Sequence, residues 1–356
     1  MPLIDVYGHE ALRERLAQSI DAKSLPSSLL LHGPRGVGKQ RLALWVAQRL
    51  LCTGAAPPCD QCTSCRYVRA LTHPDLHWVF PRPRFKDSDP DLEQIRDDYA
   101  EATAERAANG GLYAAPSGSE GIFVATVRSL IQRASMAPAM GSRKVFIVGD
   151  AERMVAQEGA DMAANAFLKL LEEPPADTTI ILTSSEPGAL LPTIRSRVIA
   201  VRVPLLADAD VKGFLGDPVV KAALDKERKT SAAERLRAAA GAPGRLLSGE
   251  TNARATLAAR KIIDAATGDK RWHRFAASLG QGAASARGAF SDTLEALVEL
   301  LGERSRDALH RKDEAAAAAA SQSVDAVLRA QTRATSNVSP QLITAKLIRE
   351  LSATLR

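Results

Sequence analysis

The chain has 356 residues, 46% of them hydrophobic and 25% charged, the proportions of a globular protein large enough for two or three domains. Forty-seven Lys and Arg against 41 Asp and Glu leave a net charge of +6, an excess that permits an anionic partner but is too diffuse to require one. Met1–Tyr7 lacks the basic head and apolar core of a signal peptide, and no apolar run approaches the ~18 residues of a membrane span, so a cytoplasmic location is expected, without membrane contact.

Short apolar runs at Leu29–Leu31, Val145–Val148, Ile180–Leu182 and Val198–Val203 are separated by helix-like segments. That alternation predicts an α/β domain with a largely parallel sheet, spanning residues 1–203. The first run leads into Gly33-Pro-Arg-Gly-Val-Gly-Lys39, a phosphate-binding loop. Gly33 opens it, and Gly36 and Gly38 let successive N–H groups turn toward an anion at the positive end of the next helix. Lys39 would neutralise phosphate charge, and Leu42, Trp45, Val46 and Leu50 give that helix an apolar face. The pattern then calls for Ser or Thr, whose hydroxyl holds Mg²⁺. This chain has Gln40, whose amide sits on a longer arm.

Cys52, Cys59, Cys62 and Cys65 are the only cysteines and follow a C-x₆-C-x₂-C-x₂-C spacing. Clustered thiols in a reducing compartment favour a closed tetrahedral Zn²⁺ site over disulfides. An iron–sulfur cluster also uses four cysteines, but the Cys-Pro that usually ends its bacterial motif is missing. The zinc module is placed at about residues 52–79. Residues 81–121, charged and then rich in Gly, Ser and Ala, read as an exposed insertion.

Lys144-Val-Phe-Ile-Val-Gly-Asp-Ala-Glu152 is the second acidic element. Hydrolysing phosphate-loop enzymes end such a strand with an Asp for Mg²⁺ and a Glu that activates water. Here Gly149 takes the first position and Asp150 the second; a one-residue slip would make Asp150 the metal ligand and leave Ala151 in the base position. With Gln40 this gives two independent defects in metal handling, and negligible hydrolysis is expected. Beyond Pro204 the strand signals stop. Ala232–Ala240, Ala253–Ala266, Phe290–Leu309, Glu314–Ala330 and Pro340–Leu355 read as helices, with the Ala315–Ala320 run inside one of them. A small helical lid is placed at 204–248 and an all-helical domain at 249–356.

Taken together, Tyr7-Gly-His9, the phosphate loop, the cysteines after its helix, Asn165-Ala-Phe-Leu-Lys-Leu-Leu-Glu-Glu-Pro-Pro175, Thr183-Ser-Ser-Glu-Pro187 and Thr193-Ile-Arg-Ser-Arg197 resemble one family. It is the delta-prime subunits of the bacterial DNA polymerase III clamp loader, within the AAA+ proteins. Gly241-Ala-Pro-Gly-Arg245 resembles the lid's sensor-2 element, and Asn337-Val-Ser-Pro-Gln-Leu342 a C-terminal collar helix. The family usually has Ser-Arg-Cys where this chain reads Ser196-Arg197-Val198.

The resemblance implies a non-hydrolysing stator in a DNA polymerase holoenzyme. It would assemble with delta and gamma/tau subunits as a hetero-pentamer that loads a sliding clamp onto primed DNA. It also implies that Arg197 is an arginine finger acting on a neighbour's ATP. Asp150, Ser184 and Arg245 occupy nucleotide-sensing positions of a degenerate site that binds ATP or ADP weakly if at all. Two rival readings are a hydrolysing gamma/tau-type motor, revealed by turnover, and a lone zinc-dependent DNA-binding module, revealed by tight, salt-sensitive DNA binding.

Overall fold

A computed structural model describes residues 2–85, 90–116, 120–154, 160–227, 230–268, 272, 276–278, 287–334 and 338–355. They fall into two compact units, Met1–Pro116 with Glu120–Ser248, and Gly249–Arg356. No helix among the described residues is long and apolar enough to cross a membrane.

The first unit runs through helix α1 (Glu10–Asp21), strand β1 (Ser28–His32), α2 (Lys39–Leu51) and α3 (Thr63–Arg69). Then come β2 (Leu76–Val79), α4 (Leu92–Ala108), α5 (Val124–Ser135), β3 (Lys144–Val148), α6 (Ala160–Glu172), β4 (Thr178–Ser184), α7 (Pro192–Arg195) and β5 (Ile199–Arg202). The strands form one parallel sheet in the order β2-β3-β4-β1-β5. Every residue of β3 and β4 is buried, which explains their unbroken apolar and Thr-rich text: a parallel strand covered on both faces shows no alternation. The crossovers bring the segments after β1, β3 and β4 to the carboxyl edge of the sheet, the usual ligand side of open α/β folds.

Two expectations are corrected here. Leu76–Val79, placed within the zinc module, is the edge strand of the sheet. Residues 81–121 are not merely an exposed insertion, because they contain α4. Asp91 and Gln94 close a capping box at its start, and Ile95, Tyr99 and Ala102 form a buried stripe at i, i+4 and i+7. Arg82 pairs with Asp98 at 2.7 Å, and the Tyr99 hydroxyl donates to the Phe80 carbonyl at 2.7 Å. Reciprocal backbone bonds of 2.9 Å between Arg82 and Gly121 tie the two ends of the insertion together. Residues 86–89 and 117–119 within it lie outside the described residues.

After Val203 come α8 (Asp208–Gly216), α9 (Pro218–Glu227) and α10 (Ala232–Ala239), then a 3₁₀ segment, Pro243–Ser248. These build a separate apolar cluster around Val211, Phe214, Val220 and Leu224, to which Ile4 and Leu112 contribute from the α/β part. The second unit contains helices Gly249–Thr267, Arg287–His310, Glu314–Ala334 and Pro340–Thr354. Ile262, Leu294, Leu297, Val327, Ile343 and Leu347 belong to its core. The alanine run is helical, with Ala317 and Ala320 buried, and Arg329 pairs with Glu350 at 2.9 Å. Asn337, quoted for the collar resemblance, lies outside the described residues.

Candidate functional site

The Gly33–Lys39 loop forms the turn between β1 and α2. Gly33, Gly36 and Gly38 have φ of 158°, 84° and 94°; the latter two are left-handed and favour glycine. What surrounds the loop is the protein itself. The Lys39 ammonium donates to the Gly33 carbonyl, the Pro34 carbonyl and Ser185 Oγ, each at 2.9 Å, so its three protons are all engaged. Burial lowers its pKa to about 8, against the opposing pull of Asp150 and Glu152. The Gly36 carbonyl accepts the Gly244 N–H at 2.9 Å. A Cβ on Gly36 would lie 2.7 Å from the Arg245 backbone nitrogen. The Gly241–Arg245 segment therefore rests directly on the loop.

Gln40 is buried and bridges two groups. Its amide nitrogen donates to Asp150 Oδ2 at 3.0 Å, and its amide oxygen accepts the Trp78 indole N–H at 3.0 Å. A Cβ on Gly149 would lie 2.4 Å from Gln40 Oε1. Gln40 and Gly149 are thus not two independent losses: the longer amide at 40 fills the space that a side chain at 149 would need. Asp150 is left-handed, at φ 48°, and its N–H donates to Thr183 Oγ1 at 3.1 Å. Ser184 Oγ accepts the Glu186 N–H at 3.0 Å, and its neighbour Ser185 is the residue that meets Lys39.

Four participants escape a sequence reading. Trp78 and Ser185 supply the contacts just described. Glu152 is buried, accepts the Ser185 N–H at 3.0 Å, and has its pKa raised by burial and then by Asp150. Arg106 of α4 stacks its guanidinium over Phe80, Tyr113 and Trp78, with centroid distances of 3.2, 3.8 and 4.6 Å. The inserted helix thus buttresses the wall of the loop site. Glu152, in the acidic element, and Ser185, within Thr183–Pro187, lie in segments the sequence marks, whereas Trp78 and Arg106 carried no signal.

Arg197 lies elsewhere. β1 and β5 run parallel with Leu29 opposite Ile199, so Arg197 precedes β5 at one end of the sheet and Gly33 follows β1 at the other. Strand rise separates them by about 20 Å, which keeps the guanidinium from serving its own loop. Its Nε donates to Glu172 Oε1 at 2.8 Å, and Nη2 contacts the same oxygen. Nη1 donates to the Thr193 carbonyl at 2.8 Å.

The cysteines converge as their spacing suggests. Their four Sγ atoms lie within 4.8 Å of one another, and Cys52 and Cys62 Sγ are 4.0 Å apart. A tetrahedron with Zn–S bonds near ~2.3 Å has sulfur–sulfur edges of roughly 3.8 Å. The N–H groups of Gly54 and Cys59 point at Cys52 Sγ, that of Cys62 at Cys59 Sγ, and that of Cys65 at Cys62 Sγ, at 3.3–3.4 Å. Such donors stabilise thiolates. Gly54 is required here, since a Cβ on it would lie 2.6 Å from Cys59 Sγ. The donor set and its spacing fit a metal ion with no open position.

A family model described as DNA polymerase III, delta subunit, matches residues 8–206, more than half of the chain. The chain belongs to this family. The DNA polymerase III subunit delta' of Pseudomonas aeruginosa is 35% identical over 178 residues, covering 49% of this chain and 42% of that protein. The corresponding Escherichia coli subunit is 28% identical over 280 residues, covering 77% and 70%. The gamma/tau subunit of Mycobacterium tuberculosis is 32% identical over 213 residues, covering 59% and 30%. The chain thus spans less than half the length of the first of these relatives. Within this delta-prime family member, Gly33, Gly36, Gly38, Lys39, Gln40, Asp150, Ser184 and Arg245 gather around one loop. Arg197 and the cysteine cluster form two separate places.

Proposed function

We propose that this chain is a delta-prime-type clamp-loader subunit of DNA polymerase III that takes part in ATP-driven clamp loading without hydrolysing ATP itself. The observation that carries this reading is the Gln40 bridge. The position from which a Ser or Thr hydroxyl would hold Mg²⁺ is spent on Asp150 and Trp78, and Lys39 is satisfied by two carbonyls of its own loop and by Ser185. Phosphoryl transfer depends on a metal that neutralises developing charge. Here the residues that would direct that metal hold one another, and the loop serves as a clasp between the sheet and the lid. This favours the stator over a gamma/tau-type motor, despite the similarity to gamma/tau.

In this reading residues 204–248 are the lid and 249–356 the collar that holds the chain among delta and gamma/tau subunits in a hetero-pentamer. The sliding clamp and primed DNA are met through the complex. Arg197 faces a neighbouring subunit's ATP rather than this chain's loop. Cys52, Cys59, Cys62 and Cys65 hold one structural Zn²⁺, which would supply a fixed crosslink and no chemistry.

Phosphate release by the isolated chain with saturating Mg-ATP is expected to be undetectable. Turnover on the order of ~1 s⁻¹, within the ordinary enzyme range, would overturn the assignment. Metal analysis of freshly purified, unchelated protein should give one zinc per chain. Cys62→Ser should lower stability by about 2 kcal/mol with loss of that zinc; a metal-free wild type of unchanged stability would contradict the site.

A further inference from the structure

The inserted helix α4 does more than cover the sheet. Between β2, α4 and α5 it leaves a cleft of about 350 Å³, within the size range of ligand sites. Its walls mix apolar side chains, Ile95 and Tyr99 from α4 and Leu130 from α5, with polar ones such as Ser129 and Arg133, and its floor is β2. β2 is an edge strand. Val145 N–H bonds the Asp75 carbonyl and Gly149 N–H the Val79 carbonyl, each at 2.8 Å, so alternate residues 75, 77 and 79 face β3. Leu76 and Trp78 therefore turn their backbone groups toward the cleft. The Leu76 N–H is taken by the His73 carbonyl, whereas the N–H and C=O of Trp78 have no backbone partner among the described residues. An unpaired strand edge between two helices is the arrangement used in recognition by strand addition.

Charge identifies what would lie there. Arg133 lines the cleft and is half-buried, and its guanidinium has no ion pair or hydrogen bond among the described residues. Burial and then repulsion from Arg96 lower its pKa. The nearby Asp75 carboxylate is committed to the N–H groups of Ala139, Met140 and Gly141. The carboxylates that Arg96 contacts, Glu93 and Asp97, are its exposed neighbours on α4. Burial, then Arg133, pushes the pKa of His77 down to about 4, so it adds no second cation at neutral pH. A half-buried guanidinium without a counter-ion is costly unless an anion arrives.

We propose that this cleft binds an extended, acidic segment of a partner polypeptide, which adds a strand to the free edge of β2. The segment packs apolar side chains on Ile95, Tyr99 and Leu130 and places a carboxylate on Arg133. The four residues of β2 limit the paired stretch to about 13 Å.

The test pans the full-length chain against a displayed random-peptide library. Selected peptides should alternate apolar residues beside an Asp or Glu, and their binding should slow hydrogen exchange at the Trp78 amide. Arg133→Glu, and Thr103→Trp to fill the cleft, should each weaken binding by about tenfold or more while leaving melting temperature and metal content unchanged. Thr103 lies on the partly exposed wall of α4, so its replacement spares the core. The proposal is overturned if no peptide is selected, or if selected peptides bind both variants as well as wild type. It is also overturned if decanoate, a small apolar carboxylate, protects Trp78 and the peptides do not.

Discussion

Arg197→Ala, introduced into a reconstituted clamp loader, should leave assembly intact and reduce clamp- and DNA-stimulated ATP hydrolysis at the adjoining site by roughly 10³–10⁵. The chain's own fold should barely respond. Arg197 and Glu172 are both partly exposed, and such pairs contribute about 0–1 kcal/mol. The geometry supports a role in trans because Arg197 and the phosphate loop lie at opposite ends of the sheet. Glu172 and the Thr193 carbonyl hold the guanidinium in one orientation, an advantage for the proposed role of meeting charge developing on a neighbour's γ-phosphate. Arg197→Lys should not restore activity, since an ammonium lacks the planar fork. Arg195 is the control: it is exposed two residues away, and Arg195→Ala should leave hydrolysis near wild type. Equal losses for the two alanine variants, or no loss for either, would reduce Arg197 to a surface residue paired with Glu172.

The second large effect concerns Gly149. Gly149→Asp should destabilise the chain by about 3–4 kcal/mol, the range for overpacking combined with a poorly compensated buried charge. The new side chain meets the Gln40 amide 2.4 Å from its Cβ, and its carboxylate joins Asp150 and the buried Glu152. Gly149→Ala isolates the steric part. Combining Gly149→Asp with Gln40→Thr should cost less than the sum of the single changes by at least ~1 kcal/mol, because the shorter side chain vacates the contested space. Chemical denaturation of the four proteins measures this coupling. Strict additivity would show that positions 40 and 149 are unrelated.

The signals readable in the sequence were those set by neighbours along the chain. The runs 29–31, 145–148 and 180–182 mark buried parallel strands because both faces are covered. The cysteines mark a cluster able to hold a metal ion because all four lie within fourteen residues. Leu76-His-Trp-Val79 was missed: it is only four residues long, and its two heteroaromatic side chains do not signal an apolar strand. α4 was missed because its buried stripe, Ile95, Tyr99 and Ala102, is thin beside its charged residues. The Gln40 bridge could not be read at all. It joins residues 38 and 110 positions apart, and only the folded sheet brings Trp78 and Asp150 to the same amide.

The most direct test of the central claim is reconstitution with delta and gamma/tau subunits of the same source. Native mass and clamp-stimulated ATP hydrolysis would be measured with and without this chain. A stable hetero-oligomer containing the chain is expected, whose hydrolysis depends on its presence although the chain alone turns over no ATP. A chain that stays unassembled, or that hydrolyses Mg-ATP by itself, would contradict it.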